Sequence, residues 1–353
     1  MKVMDWSAHE ERYQVELEYS VLWEAALGVA VVTRPDIHHT LSYSATYWRQ
    51  VEEKLPAPLK RELEVVQRHQ TWKGLLFLLH QGRFTQLDEW LTFLNRLTEK
   101  DLRFRLLPYL GEEREPARYE AARGDRKSAD RLVEHCEDHP FFPAYIRYVT
   151  REHGERLKCH LMEVLAGWYR HIVEPEEERI REVLARDVHV REEMRKRLTP
   201  EAFVHWVTDG VQVIPAPGVR RVLLIPQIVY RPWRIQADDR DTRIVYYPVD
   251  DESLDERRDP DRPRSLWIQV HKALADEKRL RTLRAVRRGV DTLPALSKEL
   301  RLPKTTMHHH LTLLRSARLL TVDGNRYAIH PHTWAVCQEE LEQYLGMGPS
   351  DVS

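Results

Sequence analysis

The stretch Leu296-Ser297-Lys298-Glu299-Leu300-Arg301-Leu302-Pro303-Lys304-Thr305-Thr306-Met307-His308-His309-His310-Leu311-Thr312-Leu313-Leu314 decides how the C-terminal part of this 353-residue chain is read. Two apolar periods of helical spacing meet there at a break. Leu296 and Leu300 share one face of a short helix whose expected cap is Thr292, with Pro294 in the first turn, where its missing N–H costs little. Arg301-Leu302 makes the turn. Pro303 then opens a second helix that runs to about Ala317, and Met307, Leu311 and Leu314 fix its buried face. The same spacing leaves Lys304, Thr305, His308, His309 and Thr312 on the opposite face, hydrogen-bonding side chains with no carboxylate among them.

The pattern continues on both sides. Upstream, Ser265 can cap a helix in which Leu266, Val270, Ala273 and Leu274 share a face, and Asp276 opens another with Leu280, Leu283 and Val286 inward. Downstream, Leu319-Leu320-Thr321-Val322 and Arg326-Tyr327-Ala328-Ile329 flank the turn Asp323-Gly324-Asn325, which reads as a hairpin. Its Arg326 lies where such a hairpin reaches a nucleic-acid backbone or minor groove. A last helix, Thr333 to Leu345, carries Trp334, Cys337, Leu341 and Leu345 at three- and four-residue steps, a stripe expected to form a dimer seam. Charge agrees with this reading. Residues 264–332 hold 14 Lys or Arg against 5 Asp or Glu, whereas residues 1–263 hold 41 against 47 and the remaining tail is acidic, so a net charge of −1 conceals a basic module. Such a local excess is the electrostatic footprint of a polyanion-binding unit.

The runs Ala273-Leu274-Ala275-Asp276-Glu277-Lys278-Arg279-Leu280-Arg281, Leu296-Ser297-Lys298-Glu299-Leu300 and Thr305-Thr306-Met307-His308-His309-His310-Leu311-Thr312-Leu313-Leu314, in this order and followed by the hairpin, resemble the winged helix-turn-helix of the ArsR/SmtB repressors. Thr306, His309, His310 and Leu311 match that family's recognition helix identically. The resemblance covers about a quarter of the chain and implies a DNA-binding homodimer that reads double-stranded DNA through the helix 303–317 and the wing 319–330. The implied contacts are Lys304, Thr305, Thr306, His308, His309, Thr312, Asn325 and Arg326. Metal sensors of the family carry a Cys-x-Cys pair where this chain has Thr292, Leu293 and Pro294, so thiolate metal sensing at that position is excluded. The segment Tyr19-Ser20-Val21-Leu22-Trp23-Glu24 is similar to one near the start of longer regulators of the same type.

The preceding 260 or so residues read as mainly helical. Leu59, Leu63, Val66, Leu75, Leu76 and Leu79 make one stripe and Leu87, Trp90, Leu91, Leu94 and Leu97 another. The longest periodic run, Ala144 to Ile172, leads to a helix opened by Pro175. From Val211 to Val249 the texture becomes β-branched and aromatic. Four runs, Val211 to Ile214, Val219 to Ile225, Trp233 to Ala237 and Ile244 to Val249, with breaks at Ala216-Pro217-Gly218 and Asp238-Asp239-Arg240-Asp241, predict a small antiparallel sheet. The expected fold is therefore α+β, divided into a helical sensor or dimerisation region (1–200), a small antiparallel β-sheet (203–250), a charged linker (251–263) and the winged helix-turn-helix (264–346).

Other function classes find less support. No Gly-rich phosphate loop, Gly-x-Ser-x-Gly or His-Glu-x-x-His occurs, and 13 glycines leave few places for backbone-lined anion cradles, so no catalytic residues and no cofactor are expected. His308-His309-His310 cannot converge on one metal, because consecutive helical side chains point about 100° apart. His135, Cys136 and His139, and Cys159 with His160, have metal-ligating types, but a helix end is the commoner meaning of His139-Pro140. Three cysteines, an N-terminus without an apolar leader and no long apolar run point to a cytoplasmic protein without a membrane span. A small-molecule effector of unknown kind is an expected partner. An enzyme-like or ligand-binding N-terminal domain, or a protein-interaction adaptor, is the alternative reading. The first would show a pocket with convergent titratable groups, the second an acidic or occluded recognition face.

Overall fold

The computed structural model describes residues 13–208, 211, 213, 218–254, 263, 265–323, 325–330, 333, 341, 342 and 344–346. The chain is α+β and divides into two compact units, Met1–His39 with Tyr43–Ser253, and Thr40–Ser42 with Leu254–Ser353.

In the first unit the order is β1 (Gln14–Leu17), α1 (Val21–Val32), α2 (Ala45–Lys54), α3 (Ala57–His69), α4 (Trp72–Leu79), α5 (Leu87–Arg96), α6 (Glu99–Leu106), α7 (Glu115–Ala122), α8 (Arg126–His135), α9 (Phe142–Arg151), α10 (Gly154–Trp168), α11 (Glu177–Arg195), α12 (Pro200–Val207), β2 (Arg221–Gln227), β3 (Ile235–Asp239), β4 (Thr242–Pro248) and α13 (Asp251–Leu254). All twelve residues of α1 are buried, as befits a helix that is apolar on every side apart from Glu24. It packs on α4 and α10, and Gly28 meets the Trp168 indole so closely that a Cβ would sit 2.5 Å from Nε1. The long periodic run after Ala144 is broken at Glu152-His153 into α9 and α10. Helical backbone then continues through residues 169–176 into α11, so Pro175 lies within a continuing helical path rather than after a gap.

The sheet departs from the expected antiparallel one. Its order is β1-β2-β4-β3, with β1 parallel to β2, β2 parallel to β4, and only β3–β4 antiparallel. The turn of that hairpin is Arg240-Asp241, the second half of the expected break, with Arg240 at φ +49°, while Asp238 and Asp239 still pair within β3. Residues 211 and 213 are not in a strand, and 212 and 214–217 lie outside the described residues. The fourth strand comes instead from Gln14–Leu17, some two hundred residues earlier. Both faces of β2 and β4 are covered. Val222, Leu224, Val245 and Tyr247 pack with Tyr13 and with Phe203, Val204 and Val207 of α12, while Tyr246, on the other face, is hydrogen-bonded to His80 at the end of α4. Burial on both faces explains the uninterrupted apolar run Val222–Ile225, the signature of parallel pairing.

The second unit holds α14 (Ser265–Leu274), α15 (Glu277–Arg287), α16 (Leu293–Glu299), α17 (Lys304–Ser316) and the hairpin β5 (Leu320–Asp323) and β6 (Arg326–Ile329). Its core joins Val270, Leu283, Val286, Leu296, Met307, Leu311, Leu314 and Leu319. Leu280, expected inward, is 48% exposed. It is three residues from Leu283 and six from Val286, and the inward arc of α15 is taken up by Thr282, Leu283, Ala285 and Val286. Of the expected last helix, residues 334–340 and 343 lie outside the described residues. Leu345 donates its N–H to Leu341, and the Tyr344 ring meets the Trp267 edge of α14 at 5.4 Å.

Among the described residues no helix is long and apolar enough to cross a membrane.

Candidate nucleic-acid interface

Short-range chemistry sets the geometry of α15 to α17. Asp276 caps α15 by accepting from the Arg279 N–H at 2.9 Å, and that backbone bond holds its carboxyl below the usual range. The Arg279 guanidinium turns back to donate to the Ala273 and Lys272 carbonyls, satisfying the C-terminal end of α14. Thr292 occupies the N-cap of α16 without a side-chain bond, and Pro294 lies in its first turn as expected. Between α16 and α17 the Ser297 hydroxyl donates to the Leu302 carbonyl while the Leu302 N–H donates to the Ser297 carbonyl. This double tie closes the turn, and Arg301 pays for its tightness with a left-handed φ of +52°.

Met307, Leu311 and Leu314 are buried against Leu283 and Leu296, which fixes the rotation of α17. Lys304, Thr305, His308 and His309 are consequently exposed on one face, and Thr312 continues it half-buried. Thr306, also half-buried, stands off that face. His310 is buried, and burial pushes its imidazole pKa down, so this member of the histidine run belongs to the core side. Pro303 supplies no side-chain cap, so the first N–H groups of α17 and its positive dipole end point the same way as the Lys304 end of the face.

Asn325 and Arg326 are exposed in the hairpin, whose register pairs Asp323 with Arg326 and Leu320 with Ile329. The Arg326 guanidinium is not isolated: it pairs with Asp291 at 2.9 Å, ahead of α16. The Tyr327 N–H donates to the Asp291 carbonyl at 2.7 Å, and Thr292 bridges to Arg326, so the hairpin is tied to the α15–α16 link. With Arg326 72% exposed, that pair is a surface ion pair worth at most about 1 kcal/mol, weak enough for a phosphate to compete. Arg301, exposed in the turn just before α17, was not among the expected contacts. Its signal was present in the sequence as a basic residue immediately ahead of the helix opened by Pro303.

The first unit offers two constellations that resemble chemistry. Thr71, His160 and Glu62 form a relay in which the Thr71 hydroxyl meets His160 Nε2 at 2.8 Å and Glu62 holds Nδ1. Thr71 is 1% exposed and His160 0%, so the hydroxyl has no access to a substrate, and the relay braces α3, α4 and α10. His139 Nδ1 accepts from the Phe141 and Phe142 N–H groups at the start of α9; Cys136 is buried, and Cys159 is exposed on α10. Among the described residues no three His, Cys, Asp or Glu side chains are placed to hold a metal ion.

Compared with protein-family models, curated proteins and solved structures, the chain matches none.

Proposed function

We propose that this protein is a DNA-binding transcriptional regulator whose second unit is a winged helix-turn-helix, with α17 as the recognition helix and β5–β6 as the wing. The observation that carries this reading is the face of α17: Lys304, Thr305, His308 and His309 exposed together, on a helix that contains no acidic residue, in a unit with a large basic excess. A helix of this width enters the major groove, and its N-terminal half is where base edges are met. Lys304 and His309 are assigned to base edges, Arg301 and Arg326 to phosphate, and Thr305, Thr306, His308, Thr312 and Asn325 to supporting contacts. The regulator is a cytoplasmic homodimer in this reading, because two-fold operators are read by paired modules. Ile268 on α14 and Leu345, respectively 42% and 58% exposed, are apolar surface that a second copy would cover. The first unit senses the signal.

The test is a titration of labelled duplex DNA with the full chain at several salt concentrations. The wild type should bind, with affinity falling steeply as salt rises. A variant carrying Lys304→Ala, His308→Ala, His309→Ala and Arg326→Ala should lose binding while keeping its unfolding temperature. Binding by the quadruple variant equal to that of the wild type, or no binding by either at low salt, refutes the reading.

A further inference from the structure

Among the cavities that open on the first unit, two differ in what their polar groups are already doing. The larger, about 400 Å³, is lined by Glu16, Glu18 and Glu192 together with Arg83 and Arg195. Four of these charges pair with one another, Arg83 with Glu18 at 2.8 Å and Arg195 with Glu192 at 3.1 Å, and Glu16 lies 3.6 Å from Arg221. The smaller, about 240 Å³, lies among α4, the α6–α7 connection, the start of α9 and the strands β3 and β4. Its Lys73 and Arg105 form no ion pair among the described residues.

Lys73 lies on its wall without a carboxylate within ion-pair distance among the described residues. The ammonium is held instead over the rings of Trp72, Phe141 and Phe142, at 4.6, 5.4 and 5.7 Å. Burial and the Arg34 guanidinium bring its pKa down to about 8, the mark of a cation lacking an anion. Arg105 gives one N–H to Gln81 and lies over the Phe93 ring, also without a carboxylate partner. His139 accepts two backbone N–H groups at Nδ1, so its proton sits on Nε2, which has no hydrogen-bond partner among the described residues. Burial, reinforced by Lys73, lowers its pKa and keeps the ring neutral. Arg118, by contrast, is fully engaged by Leu107, Phe104 and Glu115. Around these donors the walls are apolar, with Leu76, Phe77, Phe142, Ile244 and the Tyr246 ring. Asp238 and Asp239 also line the cavity, from the edge strand β3; Asp238 is exposed and paired with Arg243, Asp239 is half-buried, and among the described residues neither forms an ion pair with Lys73 or Arg105.

We infer that this cavity is a binding site for a small organic carboxylate with a single aromatic ring, its carboxylate held between Lys73 and Arg105 and its ring set among Leu76, Phe77 and Phe142. Size supports the class. A dry cavity of about 150 Å³ accepts benzene, so 240 Å³ holds one ring with a short acidic arm and excludes fused-ring ligands of drug size. Charge gives the sign: an anion would restore the neutrality that Lys73 and Arg105 lack. His139 Nε2–H supplies a neutral donor, which leaves a bound carboxylate with fewer unpaired acceptors. The inference concerns the first unit alone and stands or falls independently of DNA binding.

The experiment uses the full chain and three probes of one shape: 3-phenylpropionate, its neutral amide, and the corresponding amine. Calorimetric titration should show saturable binding of the acid, weaker binding of the amide by about ten- to a hundredfold, the range that one charge-assisted hydrogen bond carries, and still weaker binding of the amine. Lys73→Met and Arg105→Met should each weaken acid binding by a similar factor and leave amide binding nearly unchanged. Ala237→Phe, which fills the cavity from β3 while keeping both cations, should abolish binding of all three, and thermal unfolding of each unliganded variant checks that it folds. Absence of saturable acid binding, equal affinity for acid and amide, preference for the amine, or a folded Lys73→Met, Arg105→Met double variant that binds the acid as the wild type does would each overturn the assignment.

Discussion

Glu24 gives the sharpest quantitative test of the first unit. It lies on α1 at 6% exposure, and its carboxylate accepts from the Ile228 N–H at 3.0 Å and the Val229 N–H at 2.6 Å, where the chain leaves β2. Burial nevertheless pushes its pKa up to about 7 against those two bonds, from an ordinary value of 4.5. A carboxyl with a raised folded pKa binds its proton more tightly in the folded state. Its contribution is therefore complete below about pH 4.5 and is lost as pH rises to about 7. At about 1.4 kcal/mol per pH unit, the loss across that window is about 3 kcal/mol. Glu24→Gln keeps the shape and does not titrate. Urea unfolding followed by tryptophan fluorescence, from about pH 4 to about pH 8, should show the stability of the variant relative to wild type rising by about 3 kcal/mol and levelling off above pH 7. A difference independent of pH would refute the argument that burial outweighs the two backbone bonds.

Three further substitutions probe separate parts of the fold. Gly28→Ala puts a Cβ 2.5 Å from Trp168 Nε1, and since the indole is itself buried the clash should destabilise the first unit by about 2 kcal/mol or more, read as a lowered urea midpoint. Leu296→Ala empties the centre of the second core, where Leu296 is 0% exposed, and should cost about 2–5 kcal/mol in that unit's unfolding. Arg301→Gly should move stability and binding in opposite directions. Relief of the left-handed φ of +52° raises stability by up to about 1 kcal/mol, whereas loss of a phosphate contact lowers the salt dependence of DNA binding by about one counterion. An unchanged salt slope would remove Arg301 from the interface.

The elements that were legible in the sequence were those specified by nearby residues. Asp276 caps α15, Pro294 and Pro303 open helices, and Met307, Leu311 and Leu314 fix the inward face of α17, all by chemistry confined to one or two turns. The β3–β4 hairpin is local too, and its turn was visible. What escaped was long-range pairing. The four residues of β1 carry no more pattern than any short alternating segment, and their partner is Arg221–Leu224. The parallel β2–β4 pair could be read only from the uninterrupted run Val222–Ile225, which burial on both faces requires but which a short antiparallel strand also allows. Leu280 was misplaced because helical period alone does not say how wide the buried arc is. The ion pair of Arg326 with Asp291 was hidden for the same reason as β1, since 35 residues separate the partners. Lys73 and Arg105 look like ordinary charged helix residues in sequence, and only the fold brings them to the wall of one cavity.

The most direct measurement of the central claim is selection from a pool of randomised duplex DNA with the purified full chain, followed by sequencing of what is retained. A two-fold regulator that reads DNA through α17 should enrich an inverted repeat whose half-sites lie about one helical turn apart, roughly 10–11 base pairs from centre to centre, and Lys304→Ala with His309→Ala should erase that enrichment. A retained pool as random as the input, or an identical motif recovered with the double variant, would contradict the account.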